Sequence, residues 1–416
     1  MATVLDLHIH SKYSRACSPA LNLENIAKVS EQKGVDIIAT GDFTYPAWFK
    51  SLQEELVEEK GSGLYYLKKQ VEIKTRFILA TELSLVYKDE KQVRRLHMMV
   101  QAPNLEAVKE LNNYLDKHYN IRSDGRPILK LKAPELVEIC LKIHPQFLIY
   151  PAHIWTPWYA IFGSKSGFDS LEECFKEQTE HIYAYETGLS SDPEMNWRLS
   201  ALDNLTTLSS SDAHSLQNIG REANVFNLEV KTYSEIYRAI KEKDLKVLDY
   251  TIEFYPEEGM YYLDGHRDCN YSSTPVESLK NQGMCPVCKK PLVLGVFHRV
   301  EQLADRSLGY LPKNRQGFKK LIELDKIIAE SLAIKNRQAK KVQAIYLQMI
   351  KSFGSELKIL LEVDILEIEK EFGSLIALGI KRVRNGDLKI EPGFDGQYGK
   401  INIFSNKEIN KQVKLL

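Results

Sequence analysis

The sequence predicts an α/β protein built on a mainly parallel sheet or barrel, and two observations support this prediction. Residues 1 to about 250 alternate short apolar segments with segments of helical spacing, which is typical of β-α-β units. The apolar segments repeatedly end in His, Asp or Glu, and in such folds the carboxyl ends of the strands carry the functional site. We therefore expect a barrel-like domain with a polar site at one of its ends.

The predicted elements follow one another in a regular order. VLDLHIH is the first strand, the helical segment LNLENIAKVSEQKG stops at Gly34, and VDIIATGDF is the second strand. A further helix comes next, and the remaining predicted strands are RFILATELSL, RRLHMMV, QFLIYPAHI, HIYAYETGL and LTTLSSSDAH. Residues 251–300 are rich in Pro and Gly, and residues 301–416 are mostly helical and charged. We expect three domains: an α/β domain at 1–250, a loop-rich module at 251–300 and a mainly helical domain at 301–416.

The composition is that of an ordinary globular protein. Hydrophobic residues make up 44% of the 416 residues and charged residues 27%, while 56 Lys and Arg balance 56 Asp and Glu. A net charge of zero neither supports nor excludes a polyanionic partner, so only local clusters bear on that question. The six cysteines do not form a disulfide framework, and we see neither a signal peptide nor an apolar run of membrane-spanning length. We expect a cytoplasmic protein without a membrane partner.

The first candidate site begins with the motif DLHIH. Residues i and i+2 of a strand point to the same face, so His8 and His10 project together while Leu7 and Ile9 face the other way. Two imidazoles on one face beside an acid, Asp6, suit a divalent metal ion. The alternative is that both histidines are ordinary core residues with satisfied hydrogen bonds.

The other strand ends favour the metal interpretation, because nearly every one of them carries a metal-ligating side chain. The candidate ligands are His8, His10, Asp42, Glu82, His97, His153, Glu186, Asp212 and His214. These are more groups than one ion uses, which indicates a multinuclear site for Zn, Mg or Mn. Clustered divalent ions suit phosphoester hydrolysis because they activate water, orient the phosphate and stabilise both reacting oxygens.

A second constellation predicts one structural zinc ion. The motifs GHRDC and MCPVC place two pairs of ligands, each with two residues between its members, fifteen residues apart. The four ligands are His266, Cys269, Cys285 and Cys288, with His298 as a substitute for His266. A closed site of this kind holds a small module together. The alternative is a chance placement of three cysteines beside a histidine.

Two further segments point to nucleic acid. Residues 312–343 hold nine Lys and Arg against three Asp and Glu, and Lys340 and Lys341 are the pair we expect on phosphate. The segment 151–170 places aromatic residues and a Gly-Ser-Lys-Ser-Gly loop directly after His153. The candidate contacts there are Trp155, Trp158 and Tyr159 for stacking on an extruded base, and Ser164, Lys165 and Ser166 for a phosphate. The alternatives are a solvated helix face and an aromatic core under a flexible loop.

Two arginines complete the candidate set. Arg221 lies in NIGREANVF, shortly after His214, where a bidentate grip on a phosphate is expected. Arg126 lies in the turn-rich segment IRSDGRPILKL and is a candidate DNA contact or a plain surface charge. Asp212, His214 and Arg221 are the residues we expect to act in catalysis.

The motifs DLHIHSKYS, ATEL, PAH and SSDAH resemble those of the PHP (polymerase and histidinol phosphatase) superfamily over residues 1 to about 230. This resemblance implies a distorted (β/α)7 barrel with a trinuclear site, and by motif it implies that the candidate ligands above, except Glu186, bind metal. Two departures concern individual ligands. Asp42 stands after Gly41 where many members have histidine, and Ala16 falls where some members carry a further ligand. Glu186 is then either a compensating ligand or a residue that orients one.

Motifs along the whole chain resemble the endonuclease Q family. They include SDGRPIL, PAHIWTPW, ETGLSSDPEMNWR, GREANVF, GVFHRVEQLADR and IEPGFDGQYGK. The resemblance implies a DNA-repair endonuclease that turns the damaged nucleotide out of the helix. It implies hydrolysis of the phosphodiester 5′ of uracil, hypoxanthine, xanthine and abasic sites, leaving a 3′-hydroxyl and a 5′-phosphate. A replication or repair clamp is a compatible partner, although no C-terminal motif identifies one.

Two other functions remain open at this point. A small-molecule phosphatase of the histidinol-phosphate type shares the barrel but leaves the zinc module and the basic helices without a role. A non-catalytic module, in which a depleted metal site scaffolds a repair or replication complex, is suggested by Ala16. Turnover of a small phosphomonoester distinguishes the first, and metal analysis of the purified protein distinguishes the second.

Overall fold

The fold is taken from a computed structural model, which describes residues 2–405 and 408. Its strands are β1 (Ala2–Asp6), β2 (Ile37–Ala39), β3 (Leu56–Glu58), β4 (Tyr65–Leu67), β5 (Arg76–Asp89), β6 (Gln92–Ala102), β7 (Ile128–Leu129), β8 (Leu148–Pro151), β9 (Ala184–Glu186), β10 (Thr206–Leu208), β11 (Ala223–Asn227), β12 (Leu248–Glu253), β13 (Asp264–His266), β14 (Tyr271–Ser273), β15 (Gly317–Lys320), β16 (Lys389–Glu391) and β17 (Lys400–Asn402).

The α-helices of the same residues vary widely in length. They are α1 (Leu23–Lys33), α2 (Pro46–Glu55), α3 (Leu105–His118), α4 (Ala133–Ile143), α5 (Leu171–Phe175), α6 (Pro193–Asn196), α7 (Tyr233–Lys241), α8 (Pro275–Lys280), α9 (Val296–Leu303), α10 (Leu324–Ser331), α11 (Lys340–Phe353), α12 (Glu356–Leu361), α13 (Ile365–Phe372) and α14 (Ser374–Asn385). None of these described helices is long and apolar enough to cross a membrane.

The described residues group into two compact units. The first comprises residues up to 31, 35–252 and 296–318, and the second comprises 32–34, 253–295 and those from 319 onward. The first unit holds most of the strands, and the second holds α8, α10–α14 and two short hairpins, β13–β14 and β16–β17. The division into three domains with boundaries at 250 and 300 stays a prediction.

Seven strands of the first unit follow one another around a distorted barrel. Backbone ladders join β1 to β2, β2 to β5, β5 to β6, β6 to β8, and β9 to β10. The amide of Ile154 donates to the carbonyl of Glu186 (3.1 Å), which connects the ends of β8 and β9. The amide of His10 donates to the carbonyl of Ala213 (3.1 Å), which closes the ring between β10 and β1. The predicted α/β barrel with a helical C-terminal region is confirmed.

The pairing of β5 with β6 differs from the mainly parallel arrangement that the sequence predicts. These strands form one long antiparallel hairpin, from Leu79 opposite Ala102 to Asp89 opposite Gln92. Only two residues connect them, whereas a parallel pair needs a crossover of about a dozen residues or more. The chain turns at Glu90, which has a positive φ of 49°. Consequently β6 runs against its neighbours, and His97 lies within the strand instead of at its carboxyl end.

The barrel wall is apolar on both faces, as expected for strands that helices cover on the outside. Phe77, Ile78, Leu79 and Ala80, consecutive in β5, are all fully buried. The covering helices are amphipathic, and α3 shows the pattern: Val108, Leu111 and Leu115 are buried along one stripe. The side chain of Asn104 caps this helix by accepting the amide N–H of Ala107 at 2.8 Å. This rigid wall positions the polar groups at its open end.

Candidate metal centre

The segment after β1 begins the site. The strand ends at Asp6, so His8 and His10 lie just beyond it and not inside it as the sequence predicts. Both histidines still face the barrel interior, because Ile9 forms a parallel bridge with Ala213 that extends the sheet geometry by a few residues. The imidazoles are completely buried.

Asp6 holds the loop after β10 in position by hydrogen bonds. Its carboxylate accepts the backbone N–H groups of Ser211 and Gly220, both at 3.0 Å. Burial raises the pKa of Asp6 to about 6, although these hydrogen bonds oppose the shift. Because the loop after β10 carries Asp212, this carboxylate sets the position of a candidate ligand without reaching the cleft itself.

Four side chains form a first group of candidate ligands: His8, His10, Glu82 and Asp212, whose ligand atoms all lie within 4.8 Å of one another. Nε2 of His10 is 3.1 Å from Oδ1 of Asp212 and 3.3 Å from Oε2 of Glu82. Nε2 of His8 is 3.6 Å and 3.7 Å from the same two oxygens.

Three atoms of this group make no hydrogen bond within the described residues. They are Nε2 of His8, Nε2 of His10 and Oδ1 of Asp212, and all three are buried. Buried polar atoms rarely go without partners, because their desolvation is then uncompensated. Two imidazole nitrogens and two carboxylates are also a donor set suited to a divalent transition metal. The residues therefore fit a bound cation.

A second group shares one residue with the first. Oε1 of Glu82 lies 2.7 Å from Nδ1 of His97 and 3.0 Å from Nε2 of His153, and these two nitrogens are 3.2 Å apart. The other oxygen of Glu82 belongs to the first group. One carboxylate thus faces two adjacent sets of imidazoles, which is the arrangement of a bridging ligand in a two-metal site.

The electrostatics of the site favour positive charge. Burial alone would raise the pKa of Glu82, but His97, Arg126 and His8 hold it well below its ordinary value. Burial likewise opposes ionisation of Asp212, yet His8 and His10 lower its pKa. Both carboxylates therefore remain ionised, with Glu82 fully buried and the side chain of Asp212 22% exposed.

The carboxylates of Asp42 and Glu186 contact Nδ1 of His10 and of His8, whereas Nε2 of each ring faces the cleft. Oδ1 of Asp42 is 3.1 Å from Nδ1 of His10, and Oε2 of Glu186 is 3.0 Å from Nδ1 of His8. The second oxygen of Asp42 accepts the backbone N–H and hydroxyl of Ser11 at 2.7 and 2.6 Å, as well as the hydroxyl of Ser14. Neither carboxylate is a member of the two groups. Both are placed to orient histidines so that Nε2 points into the cleft.

His214, a further predicted ligand, lies at the edge of the site. Its ring centroid is 4.6 Å from that of His10, and its Nδ1 is 2.9 Å from the carbonyl oxygen of Asp212. It belongs to neither group. Its side chain is 30% exposed, so it faces the open side of the cleft.

We expect Asp42→Asn to reduce phosphodiester hydrolysis by about 10- to 100-fold, because loss of the charge behind His10 weakens the imidazole as a donor and loosens its orientation. Metal content and initial rates under single-turnover conditions are the measurements. Asp249→Asn, an exposed site on β12, is the control. A loss of about a thousandfold or more would instead assign Asp42 to the ligands.

The backbone is left-handed at three predicted ligands. The φ angles are 46° for Asp42, 30° for His153 and 45° for Asp212, a region that non-glycine residues rarely adopt. Neighbouring glycines permit this geometry: a Cβ on Gly188 would lie 2.4 Å from Cβ of His153. A Cβ on Gly125 would lie 2.5 Å from Oδ2 of Asp42. Such strain is typical of functional sites.

Arg126 and Arg221, the two candidate arginines, both contact residues of the metal centre. Nη1 of Arg126 is 2.9 Å from Oε2 of Glu82, so the structure places this predicted DNA contact beside the shared carboxylate. Nε of Arg221 donates to the carbonyl of Ser211 at 2.9 Å, which braces the loop that carries Asp212. Sequence reasoning missed the roles of Ser11, Ser14 and Gly125 around Asp42. The only signal for them was the short spacing of two small polar residues after the HxH pair.

The aromatic segment after His153 divides into buried and exposed residues. Trp155 is 1% exposed and donates its indole N–H to Oδ1 of Asn196 at 2.7 Å, so it packs in the interior. Trp158 is 45% exposed, and the ring of Tyr159 lies 4.7 Å from that of His97. The candidate phosphate loop has Ser164 and Lys165 exposed and Ser166 buried.

The second unit brings together the four predicted zinc ligands: His266, Cys269, Cys285 and Cys288, whose ligand atoms also lie within 4.8 Å of one another. His266 ends β13, and the amide of Cys285 donates to the carbonyl of Lys290 at 2.8 Å across the second turn. Although burial opposes it, backbone N–H groups of Cys288 and Val287 lower the pKa of Cys285. This arrangement fits a structural zinc site.

The basic segment 312–343 is only partly helical. Residues 332–339 separate α10 from α11. Lys340 and Lys341 are exposed in the first turn of α11, where the positive end of the helix adds to their charge. His298, the substitute zinc ligand, lies buried in α9 and is not a member of the cysteine group.

Two families match parts of the chain. The family described as PHP-associated matches residues 195–245, and the MJ0043 C-terminal domain matches residues 323–387. The distorted α/β barrel, closed around histidines and carboxylates that suit divalent ions, places the protein among the metal-dependent phosphoesterases of the PHP superfamily.

Two solved structures show the more particular membership, and one further relative is similar over part of its length. The crystal structure of the lesion-specific endonuclease PfuEndoQ from Pyrococcus furiosus has a TM-score of 0.85 and 30% identity, covering 99% of each chain. An endonuclease Q in complex with a 27-mer duplex carrying an abasic lesion has a TM-score of 0.84 and 32% identity over 98% of each chain. The MJ0043 protein of Methanocaldococcus jannaschii is 32% identical over 61% of this chain, which spans about a third (32%) of that protein's length.

The chain belongs to the endonuclease Q family. Members of this family are metal-dependent DNA endonucleases, and the predicted class of enzyme is confirmed.

Proposed function

We propose that the protein nicks DNA immediately 5′ of deaminated bases (uracil, hypoxanthine and xanthine) and of abasic sites, and that the products are a 3′-hydroxyl and a 5′-phosphate. Membership of the endonuclease Q family supports the general activity, and the related complex contains an abasic lesion at its active site. The range of lesions and the polarity of the cut are the new content of this proposal for this chain.

The observation that carries the proposal is the shared carboxylate Glu82. It joins the unpartnered nitrogens of His8 and His10 to the pair His97 and His153 within one buried cluster. We assign His8, His10, Glu82 and Asp212 to one cation and Glu82, His97 and His153 to the other. Divalent cations held by these residues, with Mg, Mn and Zn as the candidates, supply Lewis-acid activation of water and of the phosphate.

The remaining residues of the cleft hold these donors in place. Asp42 and Glu186 fix the orientation of His10 and His8, while Asp6 and Arg221 fix the loop of Asp212. Arg126 is 23% exposed beside Glu82, so its guanidinium reaches the cleft where a phosphate oxygen would lie. We assign it to charge stabilisation of the scissile phosphate.

His214 is the exposed imidazole of the cleft. Burial lowers its pKa from the ordinary value, against the opposing effect of Asp212, so the ring is neutral around pH 7. A neutral imidazole at the open side is able to accept a proton from the attacking water. We therefore assign His214 to proton transfer and not to metal binding.

The contacts to DNA follow from exposure and charge. Lys340 and Lys341 are solvent-exposed cations at a helix start, which is a site suited to backbone phosphates. Ser164 and Lys165 present a second exposed polar loop in the first unit. Trp158 is the candidate for stacking on an unpaired base, because Trp155 is enclosed in the protein.

We expect a 5′-labelled duplex with one deoxyuridine, deoxyinosine, deoxyxanthosine or abasic site to be nicked once, immediately 5′ of the lesion, with Mg²⁺ or Mn²⁺ present. The undamaged duplex of the same sequence is the control. Ligation of the nick by DNA ligase after removal of the enzyme reports the 3′-hydroxyl and 5′-phosphate ends.

Two results would contradict the proposal. Equal cleavage of damaged and undamaged duplexes would remove the lesion specificity. Hydrolysis of a small phosphomonoester, with neither duplex cut, would instead favour the phosphatase function that the barrel also allows.

A further inference from the structure

A cavity of about 370 Å³ lies in the first unit, on the outer face of the β9–β10 pair. Tyr185 lines it, whereas the next residue, Glu186, points to His8 on the opposite face of the strand. The cavity is therefore separate from the metal cleft. Its volume lies within the range of small-molecule sites, which is about 300 to 1,000 Å³.

Three of the residues that line the cavity are cations. Lys243, Lys313 and Arg315 line it, and its one acidic residue, Asp203, is already paired with Arg306. Neither Lys313 nor Arg315 forms an ion pair with a carboxylate anywhere in residues 2–405 and 408. Both are exposed at the rim, so the cavity mouth has an uncompensated positive charge that suits an anion such as a phosphate.

Gln316 provides the second, independent observation. Its side chain lines the cavity and the residue is only 7% exposed, yet neither Oε1 nor Nε2 has a hydrogen-bond partner among the residues that the structure describes. A buried primary amide without partners is costly, and it offers one acceptor beside two donors. This combination matches the hydrogen-bonding edge of a nucleobase, as asparagine and glutamine do when they read adenine.

Aromatic residues form the rest of the lining. Tyr185 and Trp197 are nearly buried, and Tyr310 is 38% exposed. The guanidinium of Arg315 lies 5.5 Å from the Trp197 ring centroid, which holds this cation at the cavity. The cavity thus combines three features that suit a nucleotide. Its positive rim suits the phosphate, its amide without hydrogen-bond partners suits the edge of the base, and its aromatic walls suit the face of the base.

We propose that this cavity binds a nucleoside monophosphate unit, with the phosphate on Lys313, Arg315 and Lys243 and the base edge on the amide of Gln316. The unit is either a free mononucleotide or one nucleotide of a DNA strand. This inference does not rest on the proposed lesion specificity, because the cavity lies on the other face of the strand that carries Glu186.

Isothermal titration of the full chain with deoxyadenosine monophosphate, and with inorganic phosphate, tests the site. We expect Lys313→Gln and Gln316→Leu each to weaken nucleotide binding by about tenfold or more, because each removes a buried or charge-assisted hydrogen bond. Asp212→Asn and the exposed control Lys50→Gln retain it. Loss of binding in Asp212→Asn alone would place the nucleotide in the metal cleft and overturn the proposal, as would equal affinity for phosphate and nucleotide.

Thermal unfolding separates a binding role from a structural one. Removing an unsatisfied buried amide stabilises a protein, so we expect Gln316→Leu to raise the Tm by about 2 °C or more in the absence of nucleotide. A lower Tm would show that Gln316 has a structural partner and would remove it from the site. Lys313→Gln lies on an exposed loop and tests binding without this complication.

Competition with a single-stranded ten-nucleotide deoxyadenosine strand distinguishes the two sources of the ligand. If the strand displaces the mononucleotide and Lys313→Gln weakens both, the cavity holds a nucleotide of DNA. If the strand leaves the mononucleotide bound, the cavity is a site for free nucleotide. Both results retain the pocket, whereas the absence of any binding that depends on Lys313 overturns it.

Discussion

Asp212→Asn is expected to lower the rate of DNA nicking by about a thousandfold or more, while the affinity for lesion-containing duplex changes by less than a few-fold. Removal of a ligand outweighs the 10- to 100-fold effect typical of residues that orient ligands. Oδ1 of Asp212 is 3.1 Å from Nε2 of His10 and has no hydrogen-bond partner among the described residues, so this oxygen is available to a cation. Loss of a negative charge also reduces repulsion of the phosphate backbone.

Single-turnover cleavage of a deoxyuridine duplex and fluorescence anisotropy of the same duplex are the two measurements. Asp249→Asn is the matched control, because it makes the same chemical change on an exposed surface of the first unit. Wild-type cleavage in the Asp212 variant would contradict its assignment as a ligand. Lost DNA binding together with a lowered Tm would assign Asp212 to the fold instead.

Cys285→Ala is expected to remove one zinc ion per chain and to destabilise the second unit by about 4 kcal/mol or more. Metal loss belongs to the small class of changes with effects this large, because the binding free energy of a structural zinc is also folding free energy. Cys285 is completely buried, and its sulfur lies within one cluster with the other three ligand atoms. The short hairpin β13–β14 beside it has too little core to fold alone.

Zinc is counted by mass spectrometry of the desalted protein, and stability is followed by urea unfolding. Cys140→Ala is the matched control, since Cys140 is also completely buried but lies in α4 of the first unit and is not a member of the cluster. It should lose stability through its small cavity and keep its zinc. Unchanged zinc content in Cys285→Ala would contradict a structural zinc at these residues.

The position of the candidate site could be predicted from the sequence, because metal-ligating side chains stand in or directly after its apolar, strand-like segments. His8 and His10 share a face by strand spacing, and Glu82, His153 and Asp212 follow or end apolar segments. All five are brought together in the structure. Their types and positions are local properties, which the chain encodes within a few residues.

The sequence alone does not distinguish the carboxylates that face the cleft from those that orient a histidine. Asp42 and Glu82 each follow an apolar run in the sequence, but Asp42 lies in the loop after β2 and Glu82 lies inside β5. Asp42 faces Nδ1 of His10, whereas Glu82 faces the cleft. The difference arises from Ser11, Ser14 and the close approach of Gly125, which come from two separate loops. Spacing along the chain contains no information about such contacts.

The sequence also does not predict the direction of β6, or which of the two tryptophans after His153 is buried. Alternation shows that β6 is a strand but not that it pairs antiparallel with β5, so His97 enters the site from the middle of a strand. Trp155 and Trp158 are three residues apart and look alike in sequence, but one is bonded to Asn196 inside the protein and the other is exposed. The packing of a distant helix decides this difference.

The left-handed backbone at Asp42, His153 and Asp212 has an evolutionary consequence. Each such residue costs about 1 kcal/mol, and glycine would relieve the cost at any of the three positions while deleting a functional group. A glycine substitution at any of these three turns would therefore raise the thermal stability of the chain as it removed a functional group. A lineage that had lost the enzyme's task would be recognised by glycines at these turns, and persistence of the acidic and imidazole side chains there is itself a record of continued use.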